Sequence, residues 1–143
     1  MSTVIDASAL AAVLYDEPEA PAVLACCESE LMAPGLLPYE MAGICRTKML
    51  RRPEEAQRLL DCHRSLSQVG VRLMEPDWDG LPQLAQRWAL SVYDAAYLQL
   101  ALREGAALVT LDARLAAAAD AAAADAAAAD TAAGPVPGRP LIL

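Results

Sequence analysis

Hydrophobic positions change period repeatedly along the chain, and each change predicts an element. Thr3-Val4-Ile5-Asp6 is a short β-prone run ending on an acid, and residues 8–15 then place Leu10, Val13 and Leu14 at helical spacing. Asp16-Glu17-Pro18-Glu19 suits the first turn of a second helix, running to about residue 28. Leu31-Met32-Ala33 is a second strand, closed by Pro34-Gly35. Residues 36–50 form a helix with Leu37, Met41, Ile44, Cys45 and Met49 on one side and Pro38 in its first turn. Pro53 opens another helix, to about residue 66, and residues 69–74 read as a third strand. Asp77 is a candidate N-cap for a helix reaching about residue 89. Ser91-Val92-Tyr93-Asp94 opens the next helix, with Ala95, Leu98 and Leu102 inward and Gly105 as its C-cap. Ala107-Leu108-Val109-Thr110-Leu111 is a fourth strand, apolar enough to expect at the centre of a sheet. A helix follows Asp112, and Leu141-Ile142-Leu143 suits a last edge strand. Strands alternating with helices predict an α/β fold: a three-layer α/β/α sandwich around a parallel sheet of four or five strands. No linker divides residues 1–143, so one domain is expected.

Composition changes this picture at one end. Alanine supplies 32 of the 143 residues, and 15 of them fall in the 21 residues 113–133. Residues 116–133 are low in complexity, with an aspartate every five residues, and read as a solvated helix or spacer. The rest is leucine-rich, with 22 leucines in the chain, enough for one core. That excludes whole-chain disorder. No apolar, charge-free run of about 18 residues exists, so a membrane protein is not expected, and Met1 to Asp6 lacks the basic start of a secretory leader. Cys26, Cys27, Cys45 and Cys62 lack zinc-site spacing and read as buried or half-buried thiols in a reducing compartment, the cytoplasm.

The net charge of −8 argues against a protein that coats nucleic acid with a basic field. It does not exclude an enzyme that meets nucleic acid through metal ions. In an open parallel sheet, ligands bind beyond the carboxyl ends of the strands. Asp6 and Asp112 end the first and fourth strands there. Glu40 lies in the first turns of the helix after strand two, and Asp94 at the start of the helix before strand four. Four acids on one rim repel one another unless a hard cation sits among them. Mg²⁺ or Mn²⁺ takes oxygen ligands and, at such a site, promotes phosphodiester hydrolysis.

Four segments carry a family resemblance. Val4-Ile5-Asp6-Ala7-Ser8-Ala9-Leu10 resembles the opening motif of PIN domains, and Pro38-Tyr39-Glu40-Met41-Ala42 their second. Ser91-Val92-Tyr93-Asp94-Ala95-Ala96-Tyr97-Leu98-Gln99-Leu100-Ala101 resembles the third as found in VapC-type toxins. Leu108-Val109-Thr110-Leu111-Asp112-Ala113-Arg114-Leu115 resembles the fourth, and the 18-residue step from Asp94 to Asp112 fits. The resemblance spans roughly residues 1–120; the alanine–aspartate tail departs from the pattern. It implies a metal-dependent ribonuclease, the toxin of a toxin–antitoxin pair, with Asp6, Glu40, Asp94 and Asp112 as catalytic metal ligands. It also implies that Ser8 and Thr110 make polar contacts to those ligands or to water on the metal. A small antitoxin and a second copy of the chain are the implied protein partners, RNA the implied substrate.

Other residues leave alternatives open. Arg46, Lys48, Arg51 and Arg52 form the densest basic run, suited either to RNA phosphates or to a solvated face at a helix C-terminus. Arg114, beside Asp112, carries the same ambiguity. Trp78, Trp88 and Tyr97 suit base stacking or packing, and His63 reads as a surface histidine. Competing functions are a PIN-like RNA-processing nuclease that is not a toxin, an antitoxin-binding scaffold without catalysis, and a receiver-like phosphoacceptor. The receiver would want a lysine at the end of a late strand, and the one lysine is Lys48.

Overall fold

The structure, a computed structural model, describes residues 1–28 and 30–133. Four parallel strands form its sheet: β1 (Ser2–Ile5), β2 (Glu30–Pro34), β3 (Arg72–Met74) and β4 (Ala107–Val109). Their order is β3-β2-β1-β4. Val4 sits opposite both Met32 and Leu108, and Ala33 opposite Leu73. Seven α-helices occur among the described residues: α1 (Ala7–Leu14), α2 (Ala20–Cys26), α3 (Leu37–Arg51), α4 (Ala56–Arg64), α5 (Leu81–Trp88), α6 (Val92–Glu104) and α7 (Ala113–Ala133). Parallel crossovers are right-handed. The chain steps from β1 to β2 to β3 in one direction, which places α1–α4 on one face. It then crosses back to β4, so α5 and α6 cover the other face, where α6 packs on β2, β1 and β4. This is the expected α/β arrangement of a central parallel sheet flanked by helices.

Burial follows from that layering. Thr3, Val4 and Ile5 are all buried, as a strand covered on both faces requires. The one hydroxyl among them, on Thr3, accepts the Glu28 amide at 2.8 Å. Leu10, Leu37, Met41, Leu59, Tyr97 and Leu98 complete the core from the two helical layers. No helix among the described residues is long and apolar enough to cross a membrane.

Several expectations need correction. β4 is an edge strand among the described residues, not a central one, and Ala107 is exposed. A short apolar run cannot say whether both of its faces are covered. The predicted last strand, Leu141 to Leu143, lies outside the described residues. The second helix starts at Ala20 with Pro21 in its first turn, because residues 15–19 turn away from helix at Asp16, whose φ is 52°. The third strand is only Arg72–Met74. Asp77 caps nothing; the N-cap of α5 is Gly80. A Cβ at Gly80 would sit 2.8 Å from the Asp77 carboxylate, so a larger residue here would require that side chain to shift. The buried side chain of Gln99 holds that loop, accepting from the Asp77 amide at 2.9 Å and donating to its carbonyl at 2.9 Å. Cys26 is exposed rather than buried, and no cysteine of the chain is in a disulfide. His63 is half-buried, with Nδ1 inside and without a hydrogen-bond partner, rather than at the surface.

The alanine-rich segment is more than a solvated spacer. In α7, Leu115, Ala118 and Ala122 are buried at helical spacing, and the helix packs on α6 and β4. Small residues suffice here because they let the helix approach closely.

Candidate active site

Strand order reverses between β1 and β4, because β1 leads toward β2 while β4 is reached by the return crossover. Such a switch point opens a crevice at the carboxyl ends of its strands. Asp6 directly follows β1 and is only 6% exposed. Its backbone amide bonds to Val109 at 3.2 Å, extending the β1–β4 pairing to the crevice. Its side chain caps α1: Oδ1 accepts the Ala9 amide at 3.0 Å and the Ser8 hydroxyl at 2.7 Å. Oδ2 accepts from the Thr110 hydroxyl. Thr110 Oγ1 also accepts the Asp112 amide at 3.0 Å, and Ser8 Oγ the Leu111 amide at 2.9 Å. Ser8 and Thr110 thus tie the β1 and β4 loops together beneath the two aspartates.

Asp112 caps α7, its Oδ1 accepting the amides of Arg114 at 2.9 Å and Leu115 at 3.2 Å. Asp94 lies in the first turn of α6, where its amide donates to the N-cap Ser91 hydroxyl at 3.0 Å. Glu40 lies in the first turn of α3, and its Oε1 accepts the Tyr97 hydroxyl at 2.7 Å. Tyr97 is fully buried. Sequence reasoning offered it only as a stacking or core residue. The available signal was its position one turn after Asp94 on a helix that crosses the sheet.

The four carboxylates feel one another. Burial pushes the Glu40 carboxyl up; the Tyr97 hydrogen bond opposes this, and repulsion from Asp6 and Asp94 adds to it. Burial also pushes Asp94 up, followed by repulsion from Asp112, with Ser91 and Arg114 acting the other way and Asp6 adding to the rise. Tyr97 is pushed far above its ordinary value, first by burial and then by its bond to Glu40, so it stays a donor at any working pH. The structure therefore brings Asp6, Glu40, Asp94 and Asp112 into one electrostatic cluster. It does not draw any three of them, among the described residues, to ligand distance of a common point.

The donor set suits a hard cation. It is all carboxylate oxygen. Among the described residues, Glu40 Oε2 and Asp112 Oδ2 take no hydrogen bond and Asp6 Oδ2 takes one, so each keeps lone pairs for an ion. An ion would also relieve the repulsion that raises Glu40 and Asp94.

The basic residues divide. Lys48 is paired with Glu17 and lies 4.9 Å over the Tyr15 ring, while Arg52 pairs with Glu55 at 3.1 Å. Arg52 has also left the helix, where it is the C-cap, so it does not continue the helix face of Lys48 and Arg51. Arg46 and Arg51 are exposed without ion-pair partners among the described residues. A groove of about 540 Å³ runs along α3 from Glu40 past Thr47 and Lys48 to Arg51. Arg114 donates to the Ala89 carbonyl at 3.0 Å and acts on Asp94 from the rim. Trp88 is half-buried under Arg87, and Trp78 is exposed.

Comparison with known proteins bears on the family and the fold. The PIN domain family model matches residues 3–121. A similar solved structure is the crystal structure of PAE2754 from Pyrobaculum aerophilum, 24% identical, with a TM-score of 0.68. The alignment covers 82% of this chain and 84% of that one, and at that identity it shows the shared fold. No curated protein matches the chain significantly.

Proposed function

The chain belongs to the PIN domain family, whose members are generally nucleases, and we propose that it is a divalent-metal-dependent endoribonuclease, the toxin of a toxin–antitoxin pair. One observation carries this reading: four carboxylates from four different elements converge on the switch-point crevice without enough positive charge, among the described residues, to balance them. A fold does not gather such a cluster for stability, since each ionised neighbour raises the cost of the next.

Asp6, Asp94 and Asp112 would hold the ion most directly, with Glu40 completing the site. Bound Mg²⁺ or Mn²⁺ supplies Lewis acidity toward the phosphate and a water of lowered pKa. The chain's own residues supply position. Ser8 and Thr110 fix the Asp6 carboxylate, the first turn of α7 fixes Asp112, and Tyr97 fixes Glu40. Arg51 would meet RNA phosphates along the α3 groove, and Lys48 only on leaving Glu17; Arg46 and Arg52 line other pockets and would meet RNA only outside this groove. Arg114 stands close enough to Asp94 to meet a phosphate held there. The receiver-like alternative is disfavoured by Lys48, which the Glu17 pair holds.

The antitoxin would blunt the site by laying a basic or apolar tail into the acidic crevice, and the active species would be a homodimer. A single experiment tests the core of the proposal. Wild type should cleave single-stranded RNA with Mg²⁺ and lose cleavage in EDTA, and Asp94→Asn should fall at least ~10³-fold. Cleavage that survives both changes would sink the metal-nuclease reading. The toxin role is read separately, as growth arrest on expression that a small protein encoded immediately upstream relieves.

A further inference from the structure

Beside the rim lies a second cavity of about 350 Å³, lined by Pro34, Tyr39, Glu75, Trp78, Tyr93 and Ala96 among others. Three of its walls are aromatic rings that water reaches freely: Tyr39 is 82% exposed, Trp78 68% and Tyr93 67%. Leaving one such ring in water is ordinary; grouping three around one cavity is the mark of a binding surface. Their places in the chain connect the cavity to the acids. Tyr39 immediately precedes Glu40 in the first turn of α3, and Tyr93 immediately precedes Asp94 in the first turn of α6. The same two helix starts that present carboxylates to the crevice therefore present rings to the cavity next to it.

The third ring is held by a fastened loop. Gln99, buried in α6, makes two hydrogen bonds to the backbone of Asp77, the residue before Trp78. Arg103 Nη1 donates to the Glu75 carbonyl at 3.0 Å, on the other side of Pro76. A buried amide spent on one loop makes that loop rigid, and rigid rings bind at lower entropic cost than mobile ones. The charge of the lining narrows the occupant. Among the described residues it holds one carboxylate, Glu75, and no cation, so a phosphate would be repelled. A nucleobase is flat and uncharged, stacks on any aromatic ring, and carries N–H donors that a carboxylate accepts.

We propose that this cavity is a nucleobase subsite, taking one unstacked base of single-stranded RNA beside the bond cut at the acids. The proposal rests on the nuclease reading and adds to it how the strand is gripped: phosphates along α3, one base among Tyr39, Trp78 and Tyr93.

The test uses the full chain and a single-stranded oligoribonucleotide in which each nucleotide near the cut bond is replaced, one at a time, by an abasic ribose. Wild type should lose about tenfold in kcat/KM when one particular base is missing. The Tyr39→Leu/Tyr93→Leu double variant should cut intact and abasic strands alike. Comparing two substrates on one protein removes any loss from poorer folding. Binding of the same strands, dye-labelled and without metal, is followed by anisotropy. Base-dependent binding without cleavage would leave the subsite standing and the nuclease reading overturned. Cleavage without base dependence at any position would overturn the subsite and leave the nuclease. Sedimentation covers the other occupant: a double variant that falls from two copies to one, with no base dependence in the wild type, would make this face a self-interface and overturn the proposal.

Discussion

At the rim, Asp6, Glu40 and Asp112 are each held by a polar partner: Ser8 and Thr110, Tyr97, and the amides of Arg114 and Leu115. Along α7, apolar contact is made by Leu115, Ala118 and Ala122, and polar contact by Arg114 with the Ala89 carbonyl and by the pair of Arg87 with Asp125. The rim is specified atom by atom and carries an electrostatic cost. The helix is specified mainly by size, with one large buried side chain, Leu115, in its first turn and small ones at Ala118 and Ala122 beyond it. Asp112 joins the two regions, because the carboxylate offered to the crevice is also the N-cap of α7. The segment that looks appended therefore positions one of the four acids. Its importance should fade with distance from Asp112.

The largest effect expected of that gradient is at Leu115, the one large buried side chain in α7. Leu115→Ala should cost about 3 kcal/mol in urea unfolding, from lost transfer energy and the cavity left behind. It should also lower RNA cleavage, because the Leu115 amide is one of the two that hold Asp112. A loss under 1 kcal/mol would mean that α7 docks by something other than its first turn.

Tyr97→Phe addresses the rim alone. It removes one hydroxyl from a filled site, so folding should change by only about 1 kcal/mol. Glu40 would lose its anchor, and Mg²⁺ affinity or cleavage should fall roughly 10–100-fold, the usual loss when a ligand's supporting hydrogen bond is removed. Calorimetric Mg²⁺ titration of the variant reads the first quantity. Unchanged affinity and rate would show that Glu40 needs no positioning.

How much of this was legible in the sequence differs between the two regions. The strand–helix alternation was readable, because Val4-Ile5 and Leu108-Val109 are apolar runs set between helical periods. Sheet order was not. An apolar run such as 107–111 looks the same at an edge half-covered by a helix as at the centre. The acids were locatable, since strand ends and helix starts follow from the periodicity. Tyr97 and Gln99 were not, because each is a polar group whose partner lies far away in sequence, at Glu40 and at Asp77. Lys48 looked available for RNA because its acid partner, Glu17, lies 31 residues away, while the partner of Arg52, Glu55, stands at the legible i,i+3 spacing. In α7 the docked face was invisible, because alanines at every position give no contrast.

A smaller effect sharpens the claim that the rim is costly. Glu40 and Asp94 are both raised in the folded chain, by burial first, from ordinary values of 4.5 and 3.8. Below those values each group is protonated in either state and costs nothing. Above them, ionisation costs the folded state more than the unfolded one, so metal-free protein loses stability as pH rises from about 4 until the folded groups have ionised. Mg²⁺ should flatten that slope. Glu40→Gln keeps an acceptor for Tyr97 and removes the charge. In EDTA at pH 7 its Tm should rise by about 2 °C, kept small by the solvent that still reaches this carboxylate. A fall in Tm would mean the cluster is already balanced by the protein.

The smallest effect belongs to the far end of α7. Arg87 and Asp125 form an ion pair, but their side chains are 62% and 51% exposed. An exposed pair contributes about 0–1 kcal/mol, and less as salt screens it. Arg87 also lies 5.3 Å over the Trp88 ring, so Arg87→Ala alone would mix two losses. A double-mutant cycle with Asp125→Ala separates them, because the ring contact is present or absent in both arms. The coupling should be under about 0.5 kcal/mol at 0.1 M salt and vanish near 1 M. Asp120→Ala, which removes an exposed aspartate with no ion pair among the described residues, should change nothing measurable. A coupling above about 1 kcal/mol that survives high salt would break the comparison: α7 would then be anchored at both ends, and its later aspartates would be structural in the same sense as Asp112.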